Sequence, residues 1–367
     1  MQWIWQLPDW PNFDYDGQKY LTFEAIFLQN AGKFNGASQH LDGIEKEILK
    51  VEMLSQEAVS TSGIEGEILD RDSVQSSIRK HLGLKTDGRK IPANASGVSE
   101  MLVDLYLHFD EPLSHQILFD WHRMLMNGRR DIEFIGAYRG HQEPMQIVSG
   151  NYNNPQVFYE APPSASVPTE MEKYILWFNK SVHNLKIPSI VFAGIAHVYF
   201  EIIHPFEDGN GRIGRALVEK ALSQRLKSAT LNSLSKVIEN NKKAYYHAVS
   251  TCNFQLNLDT YLGYFLPLIL DAQSYSYQTV AFLIAKAKFF QKFANELNTR
   301  QKKAVLRIFD EGINGFKGGL SAANYRAITS TSNATATRDL QELLAINALI
   351  KTGQLKSTRY FLKIELE

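Results

Sequence analysis

Cysteine is almost absent: the chain of 367 residues has one, Cys252. A single thiol excludes an intrachain disulfide and a thiolate metal cluster. Long apolar runs are missing too, since the most apolar stretch, Tyr261 to Leu270, is far short of a bilayer span and contains Pro267. The start, MQWIWQLPDW, lacks the basic residues and apolar run of a secretory signal. Neither sign of charge is in excess: 39 Lys/Arg face 39 Asp/Glu. That balance argues against a general nucleic-acid binder and a polybasic membrane binder. There is no internal repeat, which excludes a solenoid. What is present, 44% hydrophobic and 21% charged residues, describes a soluble cytoplasmic protein of two or three domains.

The pattern along the chain is mainly helical. Residues 1 to 32 are rich in aromatics, with Pro8 and Pro11 breaking any early helix. Apolar residues recur at helical spacing from Leu41 to Ser60, and residues 68 to 82 give a second helix. The polar stretch Gly83 to Gly97 marks the first boundary. Pro144 to Pro163 holds two short β-prone runs about a Gly/Asn/Pro turn, read as a β-hairpin or flap. Ile190 to Ile203 is apolar on nearly all sides, which places it at a domain centre. It runs into His204-Pro205, where proline disfavours further helix. After Gln301 come helix, Gly-rich break, helix, helix and two strands, the order of a winged helix-turn-helix module. The expected domains are 1–90, 91–285 and 286–367.

The chemistry concentrates in His204-Pro205-Phe206-Glu207-Asp208-Gly209-Asn210-Gly211-Arg212-Ile213-Gly214-Arg215. A buried helix delivers a histidine to a loop mouth. Gly209-Asn210-Gly211 lets consecutive N–H groups turn inward as an anion nest. The next helix aims its positive dipole end at the same spot. Arg212 and Arg215 share a face in its first turn, and guanidinium forks suit phosphate oxygens. Asp208, an acid beside a phosphate cradle, has the natural role of holding a divalent cation. A packed histidine or a solvated arginine pair would explain either feature alone, but not both within twelve residues.

The string matches H-x-F-x-(D/E)-G-N-G-R-x-x-R, the motif of the Fic family, at all eight specified positions. Chance gives such a match with a probability on the order of 10⁻⁸, so the chain is identified as resembling Fic proteins over about 100 to 285. The resemblance implies a mainly α fold, a Fic helical core with a β-hairpin flap, followed here by a C-terminal winged helix-turn-helix-like domain. It implies a protein adenylyltransferase, which moves AMP from ATP to a Ser, Thr or Tyr hydroxyl of a protein. His204 would be the general base and Asp208 would bind Mg²⁺. Gly209, Asn210, Gly211 and the neighbouring Ile213 and Gly214 would cradle phosphates. Arg212 would meet the β-phosphate and Arg215 the γ-phosphate, while Phe206 would anchor the loop in the core. Ile147, Val148 and Ser149 would form the flap that docks the target by strand addition. Asn241 and Tyr245 would border the adenine pocket.

Many Fic proteins carry an inhibitory (S/T)-x-x-x-E-(G/N) segment whose glutamate pairs with the second motif arginine. Thr61, Glu65 and Gly66 fit it, and so do Ser235, Glu239 and Asn240. Position before the core, after a long amphipathic helix, selects Glu65 as the brake on Arg215. Partners expected are a protein with a modifiable hydroxyl, self-modification included, and a second copy in a homodimer. The competing reading is a DNA-binding transcription regulator whose Fic core is a sensor. The tail from Glu296 has 11 Lys/Arg against 7 Asp/Glu, and its third helix offers Arg338 beside Asp339 and Glu342. A phosphotransferase on the same fold is disfavoured because G-N-G-R-x-x-R is intact.

Overall fold

Helical periodicity governs the chain in space as it does in the sequence. The computed structural model describes residues 2–39, 41–149, 156–316 and 318–364. These form fourteen α-helices and two antiparallel two-stranded sheets. In chain order α1 is Leu21–Gln39, α2 Gly43–Ile64, α3 Arg71–His81, α4 Ala93–Leu107 and α5 His115–Leu125. The first hairpin follows, β1 Gln146–Ser149 and β2 Gln156–Glu160. Next come α6 Val167–Val182, α7 Ser189–Ile203, α8 Asn210–Leu226, α9 Leu234–Asn240, α10 Lys242–Ser250 and α11 Asp259–Phe293. The chain closes with α12 Thr299–Phe309, α13 Ala322–Thr329, α14 Asn333–Ala345, β3 Leu349–Thr352 and β4 Arg359–Leu362. No helix among the described residues is long and apolar enough to cross a membrane.

Two compact units result, residues 1–33 with 50–276, and residues 34–49 with 277–367. In the first, α7 is the axis, buried from Ile190 to Phe200 and again at Ile202 and Ile203. Its all-round apolar surface leaves it no stable place except between other elements. It packs along α8, and one continuous core reaches from Ile4 to Ala272. That core crosses Gly83 to Gly97, so the polar stretch joins α3 to α4 within one unit. Local signals set the helix starts: Asp70 accepts from Ser73 N–H at 2.9 Å and Ser114 from Ile117 N–H at 3.2 Å. The aromatic N-terminal segment braces this core, with the Trp10 indole donating to Glu170 at 2.8 Å and its ring edge-on to Tyr199.

Two helices depart from the sequence reading. Around Pro8 and Pro11 only short 3₁₀ turns form, Ile4–Gln6 and Gly17–Tyr20, but α1 begins at Leu21, where no proline remains. The helix expected to end at Ser60 runs on to Ile64. Ser60, Thr61 and Ser62 are poor helix formers in isolation, yet all three are buried here, and packing overrides propensity.

The second unit has its own core, in which Phe282, Phe289 and Phe293 meet Val305, Phe309, Leu340 and Leu343. Asn298 and Gln301 form a reciprocal cap on α12. Asp339, expected on the outer face of α14, is buried and takes hydrogen bonds from Arg300 at 2.8 Å and Tyr325 at 2.9 Å.

Candidate active site

Pro205 forbids continuation of α7, and His204 turns the chain out by taking a left-handed conformation, φ 49° and ψ 59°. Its N–H still closes the last turn onto Phe200 at 3.0 Å. Phe206 then buries itself completely and stacks on His122 at 4.2 Å between ring centroids. The His122 Nδ1 accepts from Gly136 N–H at 3.0 Å, which leaves Nε2–H to donate to the Asp208 carbonyl at 3.2 Å. Gly209, at φ 82°, supplies the turn before α8. Asn210 closes the loop on itself, its Oδ1 accepting from Phe206 N–H at 2.9 Å and its Nδ2 donating to Phe206 O at 2.8 Å.

That closure redefines Asn210. Expected to cradle phosphate, its buried side-chain amide also braces the loop from within. Its backbone N–H, at the start of α8, is left for an anion.

The charged residues form one connected set. Asp208 pairs with Arg129 at 2.8 Å and with Arg212 at 3.2 Å. Burial opposes its ionisation, but Arg212, the Gly209 N–H and Arg129 together hold the carboxyl below its usual range. Arg212 also meets Glu67 at 3.2 Å. Arg215, buried to 2% exposure, donates to Thr61 Oγ1 at 2.8 Å, to Thr61 O at 3.0 Å and to Glu65 Oε1 at 2.8 Å. Glu65 lies so close over the loop that a β-carbon at Gly211 would come within 2.3 Å of its Oε1. Two buried guanidinium nitrogens, Arg215 Nη1 and Arg212 Nε, have no hydrogen-bond partner among the described residues. Unpartnered cationic N–H groups beside a helix N-terminus fit polyphosphate oxygens.

His204 stands at the edge of this set. Burial first, and then the charge of Arg139, push its imidazole down to about 4, so it is neutral at physiological pH. Its Nδ1 is 3.4 Å from the Glu201 carbonyl, which favours the tautomer with Nε2 open as a base. Glu201 itself is pushed up to about 7 by burial, and its Oε1 has no hydrogen-bond partner among the described residues, its near neighbour being His197 Nε2 at 3.8 Å.

For Mg²⁺, the described residues hold no group of three or more His, Cys, Asp or Glu able to bind a metal. Asp208 alone nevertheless suits Mg²⁺, which keeps waters and takes most other ligands from phosphates.

The structure thus brings His204, Asp208, the Gly209 to Arg215 segment, Thr61, Glu65 and the Gly66 turn to one place. On the hairpin, Ile147 pairs with Tyr159, Val148 with Val157 and Ser149 with Gln156 across a bulge, while the turn from Gly150 to Pro155 lies outside the described residues. The outer edge of β2 is occupied, Phe158 O by Asn253 at 2.9 Å and Glu160 O by Trp5 at 2.8 Å. Among the described residues, no such bond falls on the outer edge of β1.

Of the two residues expected at the adenine pocket, Asn241 is exposed and Tyr245 is buried. Asn241 caps α10, accepting from Ala244 N–H at 3.3 Å. Tyr245 points inward and its hydroxyl meets His197 Nε2 at 2.8 Å inside the core. Because α10 starts at Lys242, its phase turns Tyr245 and Ala248 inward and leaves Tyr246 47% exposed. Tyr246 lies near Glu65 and Arg215 from the outer face, as Tyr245 does from the core; burial and the neighbouring Glu65 push the Tyr246 hydroxyl up to about 12. Sequence reasoning also missed Glu67, Arg129, His122 and Arg139. Only Glu67 carried a signal, its place two residues after Glu65.

His204, Asp208 and the Gly209 to Arg215 segment thus lie on one helix–loop–helix, α7 to α8. A Fic/DOC family model matches residues 112–222, and a domain of unknown function (DUF4172) matches residues 3–84. The chain therefore carries a Fic/DOC domain. It is 30% identical over 112 residues to a probable protein adenylyltransferase of Aquifex aeolicus, covering 30% of each chain. It is 24% identical over 208 residues to the protein adenylyltransferase Fic of Drosophila ananassae, 56% of this chain and 38% of that one. The chain thus spans about a third of the length of these curated relatives. A Fic family protein from Desulfovibrio desulfuricans has the same fold over 93% of this chain and 96% of its own, with TM-score 0.53 and 20% identity. Fic-1 of C. elegans aligns over 74% of each chain, with TM-score 0.52 and 19% identity.

Proposed function

We propose that the chain is a protein adenylyltransferase held inactive by Glu65. The observation that carries this reading is the loop from His204 to Arg215, closed by Asn210 and flanked by two buried guanidinium nitrogens without hydrogen-bond partners among the described residues. ATP lays its phosphates on the Gly209 to Gly211 turn and the start of α8, with Arg212 and Arg215 as clamps. A target hydroxyl attacks the α-phosphorus, His204 Nε2 takes its proton, and the bond to the β-phosphate oxygen breaks to release pyrophosphate. Mg²⁺ held by Asp208 would neutralise charge on the phosphates. The outer edge of β1, with Ile147, Val148 and Ser149, takes an extended target segment as a further strand.

Glu65 is the brake, because its carboxylate holds the guanidinium fork that the γ-phosphate needs. Thr61 supports it by holding Arg215 from the same helix end. The decisive test is incubation with α-labelled ATP and Mg²⁺, the wild type beside Glu65→Gly. Label on protein that grows strongly in the variant supports the reading, and its absence from both defeats it.

A second reading, DNA binding by the C-terminal module, is favoured by one observation. Burial of Asp339 leaves α14 with an outer face of Asn333, Thr337, Arg338 and Gln341, residue types that read base edges, beside one remaining acid, Glu342. Salt-dependent retention of duplex DNA, lost in Arg338→Ala, would support it; no retention at low salt removes it.

A further inference from the structure

Arg139 is an anomaly in a protein core. It is exposed by 2%, and none of its hydrogen-bond partners is a carboxylate. A buried charge without a counter-ion is costly, and burial pulls this guanidinium down to about 10. Its partners are all oxygens of two short segments. Nε donates to His204 O at 2.8 Å and Nη2 lies 3.4 Å from Ile203 O. Nη2 also donates to Pro162 O at 2.5 Å, Nη1 donates to Ser164 Oγ at 2.8 Å, and its own backbone N–H donates to Pro205 O at 3.0 Å.

Three successive carbonyls, those of Ile203, His204 and Pro205, are therefore held by one residue. They lie at the negative end of α7, where a cation is favourable and where orphan carbonyls need donors. The other two oxygens belong to the segment that leaves β2. The same junction has a second tie, Tyr159 of β2 donating to Ile202 O at 2.6 Å. His204 has a left-handed backbone that an L-residue rarely adopts, and it keeps that conformation only while its surroundings fix it.

We propose that Arg139 is a positioning residue for the transfer step, clamping the backbone on both sides of His204 to the foot of the β1–β2 hairpin. The base and the hairpin edge then keep one spacing, as in-line transfer to a docked hydroxyl requires. This rests on the adenylyltransferase reading for its consequence, but not for its geometry. The charged groups facing His204 are Arg139 from the segment before the hairpin, Glu65 from the end of α2 and Asp208 from the loop. Arg139 is the cation that disfavours imidazolium; the two carboxylates oppose it.

The test uses the full chain with Glu65→Gly as parent, adding Arg139→Lys or Arg139→Gln. Lysine keeps the charge but lacks a planar fork able to span the four side-chain contacts. Transfer is expected to fall by about one to two orders of magnitude in both, with ATP affinity within about threefold of the parent. In NMR titrations, the His204 midpoint should rise by about one unit in Arg139→Gln and stay in place in Arg139→Lys. A merely structural arginine would lower the melting temperature without separating the two variants in this way. Transfer within threefold of the parent in Arg139→Lys overturns the proposal, and that variant decides alone if Arg139→Gln does not fold. An unmoved His204 midpoint in folded Arg139→Gln also overturns it. A parent that labels no protein defeats the adenylyltransferase reading instead, and the titration, which needs no turnover, still decides on Arg139.

Discussion

Glu239 accepts a hydrogen bond from the Ser60 hydroxyl at 3.0 Å, and its carboxylate lies against Gly63, where a β-carbon would come within 2.8 Å. It also pairs with Lys236, whereas Glu65 is the carboxylate on Arg215. The two segments that match the inhibitory pattern thus touch each other, and only one reaches the phosphate site. We expect Glu65→Gly to raise self-labelling about ten- to a hundredfold, the worth of a charge-assisted contact regained by phosphate. Glu239→Gly should not activate comparably. Labelling assays on the two variants side by side decide; activation by Glu239→Gly with a silent Glu65→Gly reverses the assignment.

Glu67 holds Arg212 as Glu65 holds Arg215, but at 3.2 Å against 2.8 Å, and is therefore the weaker pair. Glu67→Gln, added to Glu65→Gly, should raise transfer about two- to tenfold, mostly by lowering the KM for ATP. A change in kcat with KM fixed would place Glu67 outside nucleotide binding.

His204→Ala should fold and bind ATP while losing about two to four orders of magnitude in labelling. Labelling within threefold of its parent would remove it from the reaction. Asp208→Ala should lose transfer and its Mg²⁺ dependence together, and an unchanged Mg²⁺ titration would withdraw the metal assignment.

The buried histidines tie stability to pH. Burial pushes His122 down to about 4, against an ordinary value of about 6.5, so between these values the unfolded chain binds the extra proton. Its contribution is complete above pH 6.5 and is lost as pH falls towards 4. His204 acts with the same sign over the same window. Denaturant unfolding should show stability falling across that range, and a His122→Gln protein should show a shallower fall. An unchanged slope would mean that His122 is not held neutral by the fold.

The self-contained pattern of three helices and a hairpin in residues 296–367 predicts a detachable module. The structure adds a consequence: Phe289 and Phe293 belong to the core of the second unit, and the cut leaves them without it. We expect the truncated chain to retain transfer but to self-associate, with Phe289→Ser and Phe293→Ser restoring a monodisperse profile in size-exclusion chromatography. Loss of all folded protein in circular dichroism would show that the two units stand or fall together.

What the sequence made legible was chemistry confined to contiguous residues. The His204 to Arg215 string is local, and its glycines, proline and arginines state their backbone roles directly. The all-apolar α7 and the hairpin were legible for the same reason. Roles set by helix phase were not: Tyr245 and Tyr246 differ by one position, and only the start of α10 at Lys242 decides which one faces outward. Asn210 looked like a phosphate ligand because its partner, the Phe206 backbone, carries no mark in the sequence. Arg139 lies 65 residues from His204, and a buried arginine that bonds only to oxygens of the backbone and one hydroxyl has no partner letter to search for.

The loop that Asn210 closes is finished before any ligand arrives. Ordering it costs conformational entropy once, when the chain folds, and each catalytic cycle begins from a ready-made socket. Amide exchange at Phe206 should accordingly be slow with or without nucleotide. On the adenylyltransferase reading proposed above, control acts on admission to the socket, and its speed is set by how fast the Glu65 carboxylate departs.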